Sequence, residues 1–557
     1  MLHQWQGEPQ IRSADFLLSA PHYSPEAERA KTLTLYQQDP TAAFCRFPAR
    51  LTYLAAQQGF ILPADRFARC PQLQQFLQQV PFDQLELVFA SEVLSSASSM
   101  FGHIFIKASG HNSRGNPVAH SLAYFTEITS LNPIRLMVES TITGMPGFFS
   151  VRPFATDLRQ YRDQEQRNLW QFKLRASADA RQLLQLHIWE LHQIKLSYLF
   201  QSFNCATLTL EMLALTAPEL IDNRGWIVSP ADVVKAVIGQ QRVISTEVAP
   251  ARPWLFHALA DSLPVTYRQT LDEMHSVADV SAAAPEIIQH PLAASYLALQ
   301  LEQAELHQRI DPASASAIRQ ALPAAAAINL DLSHYKHPAN TPQDGAAGAG
   351  WLHDQHGSAL LLHWLSAGHL LQGDNRQYLA ESELQIARAS LLFDPARQQL
   401  RLHELTLYSA QALTPDTTAF PVWSGEFYLG YRPVPSAAAE RWSTGELSGA
   451  AGKSLRLHPD VIGYALAGGG LSTNLRDSRL FSYAKTGLLL DMAADTKLQL
   501  QYLAHSGMAG DASAYQQWFT ALSWFASQNQ ALTLQWQQLR FDRSARNSVG
   551  LTYDWLF

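Results

Sequence analysis

Between residues 355 and 557 apolar and polar side chains alternate, and this period of two restricts the fold more than any other feature. Successive side chains of a β-strand point to opposite faces, so the alternation predicts strands with one apolar face. The final segment is apolar at every second position, namely Val549, Leu551, Tyr553, Trp555 and Phe557. Similar segments are 384–393, 400–408, 425–431, 461–471, 482–491, 498–502, 518–525 and 532–541. Roughly ten to twelve short strands at regular spacing predict an antiparallel β-barrel.

Whether this barrel lies in a membrane or in water follows less directly from the sequence. No run of about 20 apolar residues is present, so a spanning helix is not predicted, whereas membrane barrels cross with short strands. The chain closes an alternating strand on Phe557, and in this it resembles the terminal strand of outer-membrane β-barrels. Several strands have only moderately apolar faces, so a soluble β-sandwich or closed barrel stays open as an alternative.

Length and composition narrow the number of domains and the class of protein. A chain of 557 residues is too long for one compact domain. Charged residues make up 16% against a typical ~25%, and 47% are hydrophobic, which excludes a disordered chain. The net charge of -7 gives no polybasic signature, so we expect no nucleic-acid partner.

The predicted fold class is multidomain α+β. The predicted segments are a helical N-terminal domain over 1–80, an α+β domain over 81–250, a helical hairpin within 251–338, a linker over 339–354 and the barrel over 355–557. Residues 345–350 are Gly and Ala only, and we interpret them as flexible linker. They lack the Lys-Ser/Thr continuation of a phosphate loop.

The three cysteines bear on the cellular compartment. Cys45 and Cys70 lie in a helical, aromatic region, and a bridge between them would contribute about 3 kcal/mol and imply an oxidising compartment. Two buried free thiols are the alternative. The N-terminus has no basic or apolar leader region, and we expect that a signal peptide preceded this sequence in an exported protein.

The third cysteine carries the strongest chemical signal. Cys205 follows Asn204 at the predicted start of a helix, where the dipole and free N–H groups lower the pKa of a thiol and can hold an oxyanion. A lone buried cysteine without a function is the alternative. We predict Cys205 as a nucleophile and Asn204 as a residue for positioning or the oxyanion.

A nucleophilic cysteine needs a base, and His103 in the predicted strand after Gly102 is the candidate. A hydrogen-bonded core histidine is the alternative. His120 on the next strand could orient His103 as its ladder partner, or be an exposed strand residue. The other candidates for this third position are Ser96, Ser98, Ser99 and Tyr124. No Cys/His spacing indicates zinc, and we expect no metal and no cofactor.

These motifs resemble the Lnb N-terminal periplasmic domain family, also called DUF4105. The resemblance covers about 85–217 and rests on Ser98-Ser-Met-Phe-Gly-His103-Ile-Phe, Trp189-Glu-Leu191, Tyr198-Leu-Phe200 and Asn204-Cys205. A histidine strand before a cysteine helix is the order of circularly permuted papain-like enzymes, including NlpC/P60-like and lecithin:retinol acyltransferase-like proteins. The resemblance therefore implies a permuted papain-like fold over 81–250. The predicted substrate-binding residues are Phe101, Gly102, Tyr198, Phe200 and Phe203.

Relatives in this family are lipoprotein N-acyltransferases. The resemblance implies a cysteine acyltransferase that takes an acyl group from a phospholipid and passes it to a lipoprotein N-terminus. It also implies residence in the periplasm and outer membrane of a Gram-negative bacterium. A cell-wall peptidase or amidase of NlpC/P60 type is the first alternative. The second is a non-enzymatic outer-membrane barrel that carries a binding module.

Overall fold

The computed structural model divides the chain into two compact units, one comprising the described residues up to Ala251 and the other those from Arg252 onwards. Residues described by the structure are 1–92, 101–126, 135, 138–192, 194–200, 202–225, 227–323, 337–355, 357–376, 378, 381–435, 443–474, 476–493, 495–511 and 513–557. The predicted class, mixed helices and sheet followed by a closed antiparallel barrel, is confirmed. Within these residues no helix is long and apolar enough to span a membrane.

The first unit begins with a two-stranded hairpin and four short helices, each helix starting at a proline. Proline at the first helical position loses no hydrogen bond and has the φ angle of a helix, which fixes these starts. The hairpin strands are β1 (Gln4–Trp5) and β2 (Glu8–Pro9), and the helices are α1 (Pro25–Gln38), α2 (Pro40–Arg46), α3 (Pro48–Gln58) and α4 (Pro71–Gln79).

A disulfide joins Cys45 at the end of α2 to Cys70 at the start of α4, with Cα atoms 5.4 Å apart. Cys205 is the free cysteine, and it is buried. The predicted bridge is therefore present. It crosslinks the N-terminal helices to one another, and the Trp189 indole donates to the Cys45 carbonyl at 2.8 Å.

A buried ion-pair network joins these helices to the α+β part of the same unit. The Arg50 guanidinium lies 2.7 Å from Glu28 and 3.4 Å from Glu190, all three being buried. His3 hydrogen-bonds Glu211 at 2.7 Å and His187 at 2.8 Å. Removing one partner of a buried charge pair leaves the other charge uncompensated. The network therefore holds the N-terminal helices in place against the α+β part of this unit.

A seven-stranded antiparallel sheet forms the centre of the first unit, in the order β8-β6-β5-β4-β3-β7-β9. Its strands are β3 (Gln84–Ala90), β4 (His103–His111), β5 (Pro117–Thr126), β6 (Met145–Pro153), β7 (Leu169–Leu174), β8 (Leu196–Tyr198) and β9 (Val243–Ala249). The helices are α5 (Phe154–Leu158), α6 (Ala178–Leu191), α7 (Cys205–Leu213) and α8 (Pro230–Gly239), with π-helical turns at Glu139–Thr143 and Arg159–Gln164 and a 3-10 helix at Pro218–Asn223. One sheet face packs on α6, α7 and α8, and the other on α5 and Tyr161.

The second unit begins with six helices and continues into the barrel. The helices are α9 (Arg252–Ser262), α10 (Val265–Asp272), α11 (Val277–Ala282), α12 (Pro285–Ile288), α13 (Ala293–Leu306) and α14 (Pro312–Ala321). A short 3-10 helix follows at Pro338–Asn340. The predicted helical hairpin corresponds to α13 and α14, and Asp311 caps the second helix. Ala419 and Phe420, from a barrel loop, complete the core of this helical group.

Twelve antiparallel strands close into the barrel, with β10 paired to β21. They are β10 (Ala346–Asp354), β11 (Gly357–His369), β12 (Glu381–Asp394), β13 (Gln399–Leu413), β14 (Ser424–Pro433), β15 (Ser443–His458), β16 (Val461–Thr473), β17 (Ser478–Ala493), β18 (Thr496–His505), β19 (Tyr515–Ser527), β20 (Gln530–Arg540) and β21 (Ala545–Leu556). Leucines and six tryptophans are exposed on the outer face, the tryptophans being 351, 364, 518, 524, 536 and 555. An apolar exterior with interfacial aromatics is the surface of a membrane barrel.

Helix α6 ends at Leu191, because Leu196–Tyr198 extends as a strand that pairs with β6. One prediction about element bounds was wrong. Of the linker expected over 339–354, residues 346–354 form strand β10. Small residues suit this strand because a side chain at Gly348 would overlap the His363 imidazole of β11.

Replacing both Cys45 and Cys70 by serine should lower the free energy of unfolding of the N-terminal helices by about 3 kcal/mol, since a crosslink over 25 residues is lost. Limited proteolysis in urea measures the change, with Cys205→Ser as the matched control. Three reactive thiols in the native wild-type protein would contradict the disulfide.

Candidate active site

Helix α7 starts at Cys205 because Asn204 and Thr207 cap it reciprocally. The Asn204 side chain accepts from the Thr207 N–H at 2.9 Å, and the Thr207 hydroxyl accepts from the Asn204 N–H at 2.7 Å. The Asn204 amide also donates to the carbonyls of Phe200 and Val228 at 2.8 and 3.1 Å. With these bonds the Asn204 side chain holds the loop and the helix start together, which corresponds to the positioning role rather than the oxyanion role.

The Cys205 thiol is buried in the core between the sheet and α7, where Ile104, Tyr124, Tyr198 and Phe203 also lie. The backbone N–H groups of Ile104 and Ala206 and the hydroxyl of Tyr198 favour the thiolate form of Cys205. Burial raises the pKa of Cys205, and these three donors oppose that shift in part. The prediction that the pKa of Cys205 is lowered is therefore wrong. Loss of hydration on burial raises the pKa by more than the helix N-terminus lowers it.

Two tyrosine rings, tilted by 41° to each other, lie in the same core as the sulfur. The rings of Tyr124 and Tyr198 lie 5.1 Å apart, and the Tyr124 hydroxyl donates to the Ser197 carbonyl at 2.9 Å. Burial raises the pKa of both phenols, so they stay protonated and act as donors. Tyr124, an alternative third member of the triad, thus belongs to the surroundings of Cys205.

The predicted substrate-binding residues gather at the same place. The Phe200 ring lies 6.4 Å from the rings of both Phe101 and Tyr198, and Phe203 is buried beside Tyr124 at 5.6 Å. Gly102 has φ of +81°, and a side chain there would collide with the Phe89 ring. Glycine is therefore required to start β4 at this point.

His103, the predicted base, is the first residue of β4. Its ring lies 5.9 Å from Phe105 and 5.8 Å from Tyr161, on the sheet face opposite Ile104 and Cys205. Its buried Nε2 has no hydrogen-bond partner. Burial, with smaller contributions from Arg167 and Arg152, lowers the pKa of His103 to about 3, so the imidazole is neutral. His103 and Cys205 thus lie on opposite faces of the sheet, and the structure does not bring the imidazole to the sulfur.

The predicted ladder contact between His120 and His103 is wrong. His120 pairs with Ala108, which lies five residues along β4 from His103, a distance of about 16 Å at the usual strand rise. Burial lowers the pKa of His120. Of the other candidates for a third member, Ser96, Ser98 and Ser99 lie outside the described residues.

Arg167 is a neighbour of both groups that the sequence did not indicate. Its guanidinium is buried and donates to the carbonyls of Ser91 and Ala90 at 2.6 and 2.8 Å. Its positive charge lowers the pKa of both Cys205 and His103. It lies in a polar stretch without periodicity, so no sequence signal could have identified it.

Residues 72–240 match the family model described as the Lnb N-terminal periplasmic domain. The family predicted from the His103 and Cys205 motifs is therefore confirmed for this segment. Residues 336–556 match a second model, a domain of unknown function named DUF7840. A search of curated proteins finds no match.

Among solved structures the chain is similar to several outer-membrane barrels. An outer membrane channel from Pseudomonas putida F1 has 12% identity and a TM-score of 0.27, covering 41% of this chain and 100% of that one. The KdgM porin in complex with disordered oligogalacturonate has 10% identity and a TM-score of 0.23, covering 37% and 98%. The NanC porin has 8% identity and a TM-score of 0.25, covering 38% and 98%.

The periplasmic Lnb domain, the disulfide and the apolar exterior of the barrel agree on location. The protein belongs to the periplasm and outer membrane of a Gram-negative bacterium. The predicted localisation is confirmed.

The pH dependence of Cys205 alkylation tests the surroundings of the sulfur. Because its pKa is raised, the thiolate fraction is small at neutral pH, and the rate with iodoacetamide should rise only at a pH above the range for a free cysteine. Tyr198→Phe removes a donor to the thiolate and should move this rise to higher pH. Tyr161→Phe, on the other sheet face, is the matched control. If the alkylation rate of the wild-type protein rose near the ordinary thiol pKa, the raised pKa of Cys205 would be contradicted.

Proposed function

We propose that this protein is a thiol-dependent acyltransferase that carries the acyl group on Cys205. The observation that carries the proposal is the position of one buried sulfur at the start of a capped helix, where two backbone N–H groups and the Tyr198 hydroxyl favour the thiolate. The thiolate is the nucleophilic form of cysteine. Residues 72–240 match the Lnb N-terminal periplasmic domain, and the resemblance to this family suggests lipid acyl transfer as the chemistry.

In the first step the Cys205 thiolate attacks an ester carbonyl of a phospholipid. The proton of the thiol passes to a neutral imidazole, for which we propose His103. Its Nε2 has no hydrogen bond to break, but the backbone at the start of β4 must change conformation to bring the ring from the Tyr161 side of the sheet to Cys205. The new C–S bond forms, the ester C–O bond breaks, and the leaving alkoxide takes the proton back as the lysophospholipid departs.

In the second step an amine attacks the thioester, for which the family suggests the N-terminus of a lipoprotein. The C–N bond forms, the C–S bond breaks, and the proton lost by the amine returns to Cys205. An amine competes with water only where water is excluded or the amine is positioned. Tyr124, Phe203 and Ile104 around the sulfur provide such an apolar environment.

The barrel has a separate role in this proposal. Its exposed leucines and tryptophans suit a lipid bilayer, so it would anchor the chain in the membrane that contains the acyl donor. No part of the barrel is needed for the chemical steps themselves.

Incubating the full-length protein with phospholipid vesicles in the absence of amine should add the mass of one acyl chain. The adduct should be released by hydroxylamine, as a thioester is, and should be absent in Cys205→Ser. Intact-protein mass spectrometry gives the reading. His103→Gln should slow adduct formation by about 100-fold or more, the usual contribution of a general base.

His120→Gln is the matched control, since His120 lies remote from His103 along the ladder. It should form the adduct at the wild-type rate. Cleavage of purified sacculi that depends on Cys205 would instead indicate a cell-wall hydrolase. A Cys205→Ala protein that keeps full function in cells would indicate a binding module.

A further inference from the structure

The lumen of the barrel contains a cavity of about 890 Å³, within the size range of sites for small ligands. The β11–β12 connection folds into one side of this lumen. Leu371 is buried there against Leu413 and Tyr464, and the Asn375 amide donates to the Leu370 carbonyl at 3.0 Å. The cavity therefore has fixed walls.

Several charged side chains along the inside of the barrel neutralise one another. The pairs are Lys497 with Glu381, Lys485 with Glu426, Arg432 with Glu446 and Arg376 with Asp374. Ions paired in this way have little capacity left for a charged ligand. Arg388, Glu383 and Glu404 also line the cavity, and each hydrogen-bonds an uncharged side chain. Beside these charged groups, the walls offer hydrogen bonding by uncharged side chains.

Glutamine side chains supply uncharged hydrogen-bonding groups in the lumen. Those lining the cavity include Gln385, Gln411, Gln499, Gln501, Gln517 and Gln535. The Nε2 of Gln411 and the Oε1 of Gln499 are buried without a hydrogen-bond partner, although both side chains are more than nine-tenths buried. A buried polar atom without a hydrogen bond is destabilising, so a ligand that bonds to these two atoms would be favoured.

The two unpaired amides line the same cavity from well-separated strands. Gln411 is on β13 and Gln499 on β18, which are five strands apart in a ring of twelve. Gln411 lies two residues from the end of its strand at Leu413, and Gln499 three residues from Thr496 at the same end of the barrel. One offers a donor and the other an acceptor at nearly the same level.

We propose that the barrel lumen is a binding site for a neutral, hydroxyl-rich ligand, a saccharide by chemical class. Hydroxyl groups both donate and accept, and so pair with the Gln411 donor and the Gln499 acceptor together. This site is separate from Cys205 and does not depend on the acyltransferase proposal.

Titration calorimetry of the full-length protein with maltotriose, in an amine-oxide detergent free of sugar, tests the proposal. Binding should be measurable at millimolar concentration. Gln411→Leu and Gln499→Leu should each weaken it about ten-fold, the effect of leaving one polar partner unpaired. Gln516→Leu is the matched control, since Gln516 is exposed and does not line the cavity.

Thr552→Trp, which fills the cavity from β21 near the same end of the barrel as Gln411 and Gln499, should abolish binding even if the glutamine variants fold poorly. Heat-modifiable migration on gels confirms that each variant has a folded barrel. The proposal is overturned by any of three results: no binding of maltotriose, wild-type affinity in the folded glutamine or tryptophan variants, or tighter binding of a sulfated trisaccharide than of the neutral one.

Discussion

Burial of the Cys205 sulfur between β4 and the first turn of α7 is the constraint on which the proposed chemistry depends. The Asn204–Thr207 cap fixes where the helix starts, and Glu211 on the same helix is held by His3. The same burial that creates an apolar site for an acyl chain also keeps the thiol protonated. A base must therefore act at the moment of reaction, which makes the orientation of His103 the decisive variable.

Much of the architecture could be predicted because it follows from local patterns. The period-two alternation after residue 355 predicted the barrel, and the helical domain predicted over 1–80 contains α1 to α4. The Cys45–Cys70 pair and the Asn204-Cys205 helix start were also predictable, since each rests on residues close together in sequence. These features need no knowledge of which strand pairs with which.

Features that depend on register and burial could not be predicted. The offset between His103 and His120 is set by the β4–β5 pairing, in which Ala108 is the partner of His120. The Gly/Ala segment that was expected as linker forms a strand because it pairs with β11 on one side and with β21 on the other. These pairings outweigh the flexibility of its Gly and Ala residues. The direction of the Cys205 pKa shift likewise reflects the whole core, since desolvation outweighs the local helix effect.

The time course of lysophospholipid release without an acceptor amine tests the role of Cys205 most directly. With a radiolabelled acyl chain and rapid quenching, a covalent acyl-Cys205 predicts a burst of lysophospholipid. Its amplitude should equal the amount of protein, with the label on the protein and little further release. Continuous release of free fatty acid, with no label on the protein at any time, would contradict the account.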